Sequence, residues 1–328
     1  MNTLSFTPIK KILFIAQAPG FFYRQSLIEN AQQFFLGPDV SDVEHHNEYS
    51  LNARLTPEMK DGEVLSRFLD NQGFTPEIVF IKADATRRNH ISNLRALKGK
   101  KILLMGDTHH MVHPLKTMLS YAIQEPWDLV SSEHDRHHLP LFAEAGVRNL
   151  IWLPCFTMNP HKHTPCVATD ERTVFVGSLS AHHIQRQRII GQLQKRGVSV
   201  HVTTAPQNEA ARLYNQHAIS LNISLNGDLN FRIMEVLASG GCLLTDRLGP
   251  DSGLNELFTE GVHYLAYSSA DEAAYWIDFV RRNPAQRQCI AEAGFQRFWS
   301  YCSPDLQCQA LLSALTGQSI PERFKAPQ

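Results

Sequence analysis

The sequence of 328 residues is 43% hydrophobic and 19% charged, with a formal net charge of −1 at pH 7. This length exceeds one typical domain of roughly 100 to 200 residues, so two domains are expected. The composition excludes a largely disordered chain, and no run approaches the roughly 20 apolar residues of a transmembrane helix. The balanced charge gives no indication of a nucleic-acid partner. The six scattered cysteines form no CxxC pair, which fits a reducing cytoplasm.

Short apolar runs alternate with longer helix-like segments along the whole chain. This pattern is typical of βα units that feed a parallel sheet, so it predicts an α/β protein. In the first half we expect strands over residues 11–16, 78–82, 101–105, 129–131 and 150–153. Amphipathic helices are expected between them, over residues 22–35, 62–71 and 136–145.

The stretch PCFTMNPHKHTPCVATDERT, residues 154–173, is rich in Pro, Thr and His and predicts a linker between two domains. We place the boundary near residue 165, with one domain over residues 1–165 and a second over residues 166–328. In the second half strands are expected over residues 174–176, 198–202, 219–223, 242–245 and 263–266. Helices follow over residues 271–282 and 284–300, and they are expected to pack toward the first domain.

The tail beyond Thr316 is expected to be frayed. Two doubly wound domains leave a cleft at the carboxyl ends of their strands, where ligands of such folds bind. Candidate binding residues are therefore sought in the loops that follow strands.

The densest set of such residues lies in LNISLNGDLNFRIMEVLASGGCLLTDRLGPDSGLNEL, residues 221–257. A polar loop with Asn226, Asp228 and Asn230 follows a strand and leads into a helix, whose N-terminus suits a diphosphate. Arg232 in the first helical turn opposes the helix dipole, which an anionic ligand would explain. Glu235 lies three residues on, so the pair predicts contacts to a phosphate and a ribose. An ordinary surface ion pair is the alternative.

A second loop, GPDSGLNEL, follows the next strand. The backbone around Ser252, Gly253 and Leu254 is a candidate for a phosphate contact, although a plain turn explains the same residues. The chain has neither a GxGxxG motif nor a Walker loop. This absence disfavours nicotinamide binding and ATP hydrolysis.

Four motifs of the second half occur together: TVFVGSL, LNISLNGDLNFRIMEVLASGGCLLTD, a Gly-Leu-x-Glu-Leu-Phe step and IAEAGFQRF. In this combination the chain resembles the C-terminal domain of the group 1 glycosyltransferases, in their CgeB-like branch. The resemblance is strongest over residues 128–301. It implies the GT-B fold, in which two Rossmann-like domains face a cleft. The acceptor is then bound mainly by the N-terminal domain and the nucleotide sugar mainly by the C-terminal domain.

The resemblance also implies roles for individual residues. Gly177 and Ser178 would line the pyrophosphate, and Arg186 or Arg188 on the following helix would reach toward it.

Related retaining enzymes carry two glutamates eight positions apart. Glu235 matches the second, which contacts the ribose, whereas the first falls on Gly227, beside Asp228. This departure leaves the contacts to the donor sugar and the stereochemical outcome open.

Asp107 and His109 come directly after a predicted strand of the first half. There they are candidates for the general base that an inverting mechanism requires. The alternative is that they cap the next helix.

The histidine-rich segments support a rival hypothesis, a metal-dependent hydrolase. Its potential ligands are Asp107, His109, His110, His113, Glu133, His134, Asp135, His137 and His138. No HExxH or comparable motif is present, so no metal site is predicted. A third possibility is a catalytically silent protein that binds a nucleotide sugar without turnover.

The sequence thus predicts a metal-independent glycosyltransferase that moves a hexose-type sugar from a nucleoside diphosphate to a hydroxyl acceptor. The acceptor is a glycan, a protein or a small molecule. No cofactor beyond the nucleotide-sugar donor is expected. A UDP-sugar is the first choice of donor, with GDP- and TDP-sugars as alternatives.

Overall fold

The computed structural model describes residues 9–17, 31–40, 45–47, 50–106, 108, 111–134, 136–180 and 183–327. It confirms the predicted α/β class, because two largely parallel sheets alternate with helices along the chain. The chain divides into two compact units. The first comprises Met1–Thr157 together with Pro304–Gln328, and the second comprises Met158–Ser303.

An eight-stranded sheet forms the core of the first unit, in the order β3-β4-β2-β1-β5-β6-β7-β8. Neighbouring strands pair in parallel, except for the antiparallel pair β3 and β4. The central strands are largely apolar and buried, as expected when both faces of a parallel sheet are covered. The strands are β1 (Lys11–Ile15), β2 (Gln32–Gly37), β3 (His45–Asn47), β4 (Ser50–Arg54), β5 (Ile78–Ala83), β6 (Lys100–Met105), β7 (Leu129–Ser132) and β8 (Leu150–Trp152). Among its described residues, this unit contains the α-helices α1 (Gly62–Asn71), α2 (Pro114–Gln124), α3 (Leu139–Glu144) and α10 (Pro304–Leu315).

The helix expected over residues 22–35 is wrong at its C-terminal end. Residues 32–35 belong to β2, where Phe34 and Phe35 are buried and pair in register with Leu13 and Phe14 of β1. The apolar residues of this segment fit the period of a helix as well as that of a strand, and the segment forms a strand because it pairs with β1. Residues 22–30 of this prediction lie outside the described residues.

A five-stranded parallel sheet forms the core of the second unit, in the order β10-β9-β11-β12-β13. Its strands are β9 (Asp170–Val176), β10 (Val200–Thr203), β11 (His217–Asn222), β12 (Leu243–Asp246) and β13 (Leu265–Tyr267). Its helices are α4 (Ile184–Lys195), α5 (Gln207–Gln216), α6 (Phe231–Ala238), α7 (Leu254–Leu257), α8 (Ala270–Arg282) and α9 (Pro284–Tyr301). Apolar residues of strands and helices together form one buried core cluster.

Two expectations at the borders of the second half are corrected. The predicted linker extends to residue 173, whereas β9 already begins at Asp170. The first residues of this strand are polar, so a pattern of hydrophobic residues does not reveal them. The tail is not frayed throughout. Phe324 is fully buried and Lys325 forms a β-bridge with Ile151, so this segment is held to the first unit. The domain boundary near residue 165 stays a prediction.

Within the described ranges, none of the helices combines the length and the apolar character that crossing a bilayer requires.

Candidate functional site

The candidate binding residues of the second half meet at the carboxyl edge of the second sheet. Gly177 follows β9, Asn222 ends β11, and Asp246 ends β12. These strands run parallel, so their carboxyl ends lie at the same edge of the sheet. A polar loop leads from β11 into α6, which begins at Phe231 and carries Arg232 in its first turn.

Arg232 is held against the ends of two neighbouring strands. Its Nε donates to the carbonyl oxygen of Val176 at 2.7 Å, and its Nη1 donates to Oδ1 of Asn222 at 3.0 Å. The guanidinium carbon lies 4.3 Å from the ring centroid of Phe175, a cation–π distance. These contacts fix the guanidinium beside Gly177, where an added Cβ would lie only 2.2 Å from Nη2 of Arg232.

Arg186 on α4 also reaches the ring of Phe175 at the end of β9. Its Nε donates to the carbonyl oxygen of Ile223 at 3.4 Å, and its Nη1 donates to that of Ser178 at 3.3 Å. Its guanidinium carbon lies 5.7 Å from the ring centroid of Phe175. Arg188, the other arginine of α4 considered above, is exposed. The structure therefore brings Arg186, and not Arg188, to the candidate site.

The guanidinium groups of Arg186 and Arg232 thus lie close enough for their positive charges to repel each other. Burial, and then repulsion from Arg232, lower the pKa of Arg186 to about 10, although Asp228 and Asp246 act in the opposite direction. The hydrogen bonds described above for both guanidinium groups end on neutral oxygens. An anionic ligand at this edge would relieve the repulsion between the two arginines.

Glu235 lies one turn beyond Arg232 but does not hydrogen-bond to it. Its Oε2 accepts from the hydroxyl of Tyr214 at 3.4 Å. Burial raises the pKa of Glu235, and the nearby charge of Arg232 partly offsets that rise. Arg232 and Glu235 therefore do not form the ordinary surface ion pair that was the alternative. Arg232 donates to the strand ends, whereas Glu235 accepts from Tyr214, whose hydroxyl also interacts with Arg232.

The loop before α6 is organised by two carboxylates. Oδ1 of Asp228 accepts from the backbone N–H groups of Leu225 at 3.2 Å and Asn226 at 3.3 Å. Asp246 accepts from the backbone N–H of Ser224 at 2.8 Å and from its hydroxyl, and burial raises the pKa of this carboxyl. Asp228 therefore shapes the loop, while the side chain of Asn226 is exposed.

Asn230 occupies the N-cap position of α6, yet its side chain makes no capping hydrogen bond. Both its amide nitrogen and its amide oxygen are buried without a hydrogen-bond partner among the described residues. Buried polar groups are nearly always paired, since leaving one unsatisfied costs roughly 1–3 kcal/mol. The unpaired amide therefore points to a polar ligand at this helix N-terminus.

The second predicted loop forms a compact turn. Ser252 is buried, its backbone N–H donates to Gly249, and its hydroxyl accepts from the backbone N–H of Leu254 at 3.3 Å. Gly253 has a φ of +83°, which suits a glycine in a turn. The plain-turn explanation thus accounts for the N–H groups of Ser252 and Leu254. A phosphate contact at Gly253 stays a prediction.

Sequence reasoning missed two residues that orient the arginines. Phe175 supplies the ring beneath both guanidinium groups, and Asn222 accepts from Arg232 while its Nδ2 donates to Thr245. Asn222 is fully buried at the end of an apolar strand. A polar residue at the end of an apolar strand is the sequence feature that could have identified Asn222 as a site residue.

Asp107 and His109, the candidate general bases, lie outside the described residues. Next to them, Oγ1 of Thr108 lies 2.6 Å from Nδ1 of His138, which ties the loop after β6 to the segment before α3.

The rival hypothesis of a metal site gains no support from the part of the chain that the structure describes. There, no three His, Cys, Asp or Glu side chains come together in an arrangement that could hold a metal ion. Glu133 instead pairs with Lys82 at 3.1 Å and accepts from the hydroxyl of Thr157 at 2.9 Å. Four of the proposed ligands lie outside the described residues: Asp107, His109, His110 and Asp135.

Comparisons with known proteins place this site in context. Residues 172–313 match the model of a family described as "Glycosyl transferase-like". A search of curated protein sequences finds no match. The chain is similar in structure to sucrose-phosphate synthase from Thermosynechococcus elongatus, with a TM-score of 0.68 and 14% identity over 94% of this chain and 100% of that one.

Two further solved structures are similar over almost the whole chain. A glycosyltransferase from Rickettsia africae has a TM-score of 0.65 and 9% identity, over 95% of this chain and 99% of that one. HepE from Anabaena, in complex with UDP and glucose, has a TM-score of 0.66 and 13% identity, over 94% of this chain and 100% of that one. The fold is therefore that of the GT-B glycosyltransferases. The family match supports a group 1 glycosyltransferase, while the CgeB-like branch stays a prediction.

Proposed function

We propose that the protein transfers a sugar from a nucleoside diphosphate sugar to a hydroxyl group of a glycan, a protein or a small molecule. One observation carries the proposal: the guanidinium groups of Arg186 and Arg232 converge over Phe175 at the carboxyl edge of a parallel sheet. Ligands of open α/β sheets bind at this edge. We propose that the two arginines hold the diphosphate of the donor.

The reaction places new negative charge on the leaving diphosphate. Positioned cations and helix N-termini that face this charge stabilise the transition state. Arg186, Arg232 and the start of α6 would supply such groups from protein atoms. The backbone of Gly177 and Ser178 would line the diphosphate beside them. We therefore propose transfer without a metal ion and without a cofactor other than the donor.

Glu235 is proposed to accept hydrogen bonds from the ribose hydroxyls. Its carboxylate lies near Arg232, since the charge of that arginine acts on its pKa. The amide of Asn230, unpaired among the described residues, is proposed to bind the donor as well. Asn226, Asp228, Ser252, Gly253 and Leu254 complete the proposed donor site.

Uridine is proposed as the base, because HepE has the same fold and its structure is solved with UDP and with UDP-glucose. GDP- and TDP-sugars are the alternatives. For the acceptor hydroxyl, Asp107 and His109 remain the proposed general bases of an inverting mechanism. The cytoplasm is the proposed location, since six scattered cysteines suit a reducing compartment.

Calorimetric titration with UDP, GDP and TDP tests the donor site. We expect one of the three to bind wild type, and Arg186→Ala to weaken that binding at least tenfold, because a charge-assisted contact contributes roughly 1.5–3 kcal/mol. Arg188→Ala is the matched control, since this arginine lies exposed on the same helix. Equal affinity in both variants, or no binding of any nucleotide to wild type, would exclude the proposed site.

A silent nucleotide-sugar-binding protein is the second candidate. It is favoured by Gly227, which stands where related retaining enzymes carry a glutamate. Mass spectrometry of the donor after incubation with the protein separates the two candidates. A transferase should release free sugar from the donor by slow hydrolysis, whereas a silent protein binds the donor and leaves it intact.

A further inference from the structure

A cavity of about 490 Å³ lies in the first unit, and none of its lining residues belongs to the proposed donor site. It opens beside the segments that follow β2 and β4, with Pro38 on one side and Leu55 and Thr56 on the other. These strands run parallel to each other, so the cavity lies at the carboxyl edge of the first sheet. Its volume falls within the roughly 300–1,000 Å³ of small-molecule sites, and its position is where ligands of such sheets bind.

The charge of this cavity differs from that of the whole protein. Arg54, Lys60 and Arg88 line it, and Glu58 is the one acidic residue among its lining side chains, although the protein carries a net charge of −1. Arg88 forms an ion pair with Asp39. The remaining cations exceed the remaining carboxylate, so the cavity favours an anion.

Two of these cations are available to a ligand. Arg54 is exposed, and its guanidinium group makes no hydrogen bond or ion pair within the described ranges. Nζ of Lys60 donates to the carbonyl oxygen of Arg87 at 3.3 Å, and its ammonium group has no carboxylate partner among the described residues. The carboxylate of Glu58 is hydrogen-bonded by its own backbone N–H and by Thr56, which lowers its pKa and keeps it ionised. Its single negative charge offsets only one of the two positive charges of Arg54 and Lys60.

We propose that this cavity binds a phosphate monoester group of the acceptor, so that the acceptor is a small phosphorylated hydroxyl compound. An arginine fork with a nearby lysine suits a phosphate, which offers several oxygens to both kinds of donor. The identity of the ligand as the acceptor rests on the proposed function, because the donor is assigned to the second unit. The anion site itself rests on the cavity alone.

Calorimetric titration with inorganic phosphate at constant ionic strength tests the anion site. We expect wild type to bind phosphate and the double variant Arg54→Gln, Lys60→Gln to lose at least about tenfold in affinity. Arg148→Gln is the matched control, since this exposed arginine precedes the amino end of β8 in the same unit. Phosphate binding in Arg232→Ala shows whether the donor site contributes. Phosphate affinity that the double substitution leaves unchanged in the Arg232→Ala background, or equal binding of acetate by wild type, overturns the proposal.

The second experiment separates this proposal from the donor assignment. With the preferred UDP-sugar, transfer to a hexose 6-phosphate should exceed transfer to the same unphosphorylated hexose, and the double variant should remove that preference by raising KM for the phosphorylated acceptor. The affinity of the double variant for UDP should stay within about twofold of that of wild type. If wild type does not bind UDP, the proposed UDP-sugar donor is contradicted, whereas the phosphate titration still tests the anion site. Equal use of both hexoses would contradict the acceptor assignment alone.

Discussion

An added Cβ on Gly177 would lie 2.2 Å from Nη2 of Arg232. The guanidinium of Arg232 therefore occupies the space that a side chain at position 177 would need. Gly177 also has a φ of +155°, a conformation that residues with a side chain rarely adopt. The observed position of the Arg232 guanidinium thus requires a glycine after β9, although 55 positions separate the two residues in the sequence.

Gly177→Ala should displace Arg232 from Val176 and Asn222. We expect about a tenfold loss in affinity for the preferred nucleotide, because the diphosphate contact loses its geometry. Gly191→Ala is the matched control. This glycine lies within α4 with no heavy atom within 4 Å of an added Cβ, so the change should stabilise the helix by roughly 0.5–1 kcal/mol. Calorimetry and thermal unfolding measure both effects, and unchanged nucleotide affinity in Gly177→Ala would contradict the pairing.

Arg232→Ala should lower kcat as well as donor affinity. The charge of the diphosphate grows as the glycosidic bond breaks, so a cation beside it binds the transition state more strongly than the ground state. We expect a loss of about tenfold to a hundredfold in kcat/KM, measured by release of the nucleotide product. A variant with raised KM and wild-type kcat would show that Arg232 contributes only to uniform binding. Circular dichroism on the purified variant establishes that it is folded.

Glu235→Gln should change stability and nucleotide affinity in opposite directions. Burial raises the pKa of Glu235 in the folded protein above its unfolded value, so the folded state binds the proton more tightly. The free energy of unfolding then falls as the pH rises from the unfolded pKa of 4.5 through the raised folded value. The glutamine variant lacks this decline. At pH 7 we expect it to be more stable than wild type by about 1 kcal/mol, since a buried charge is removed.

The same carboxylate should make nucleotide binding depend on pH. An ionised carboxylate accepts hydrogen bonds from both ribose hydroxyls, whereas the protonated form is the weaker acceptor. Wild-type affinity should therefore fall as the pH is lowered through the raised pKa of Glu235, and the affinity of Glu235→Gln should be lower and flat. Calorimetry at several pH values checks this. Parallel pH profiles for the two proteins would remove Glu235 from the donor site.

The arginines show what sequence alone can predict of this site. Arg232 and Glu235 are close along one helix, so spacing identifies them, and the resemblance adds Gly177 and Arg186. Their contacts depend on which strands become neighbours. The pairing of β9 with β11 brings Val176 and Asn222 to Arg232, and no local pattern encodes that pairing.

The fold, like the site, is predictable from the sequence where local patterns determine it. Most strands of continuous apolar residues were predicted to within a few positions, since such runs are visible in sequence. The polar start of β9 and the strands β2, β3 and β4 were missed, because tertiary pairing decides their conformation.

Activity should persist in EDTA. The proposed site meets the charge of the leaving diphosphate with Arg186, Arg232 and a helix N-terminus, so a divalent ion has no required role there. We expect the rate of nucleotide release to change by less than about twofold after treatment with EDTA and exchange into metal-free buffer. Strict dependence on added Mg²⁺ or Mn²⁺ would contradict this model of the site. Elemental analysis of the purified protein provides an independent check on the metal-dependent alternative.

Glu133→Gln should destabilise the first unit strongly. Glu133 is fully buried, and its carboxylate pairs with Lys82 while also accepting from the backbone N–H and the hydroxyl of Thr157. Removing one partner of a buried pair leaves the other charge uncompensated, which costs roughly 3–5 kcal/mol. The partial exposure of Lys82, 21% of its side chain, lets water reach the ammonium group, so we expect a loss of about 2–3 kcal/mol in urea unfolding.

Asp70→Asn is the matched control for that change. The pair Asp70–Lys98 lies in the same unit, but its side chains are 53% and 62% exposed and their charged atoms are 3.6 Å apart. Exposed pairs of this kind contribute roughly 0–1 kcal/mol. Asp70 also lies near the C-terminus of α1, where a negative charge opposes the helix dipole, so its removal should be close to neutral. A similar unfolding midpoint for Glu133→Gln and Asp70→Asn would show that the buried carboxylate does not stabilise the ends of β5 and β7 through its charge.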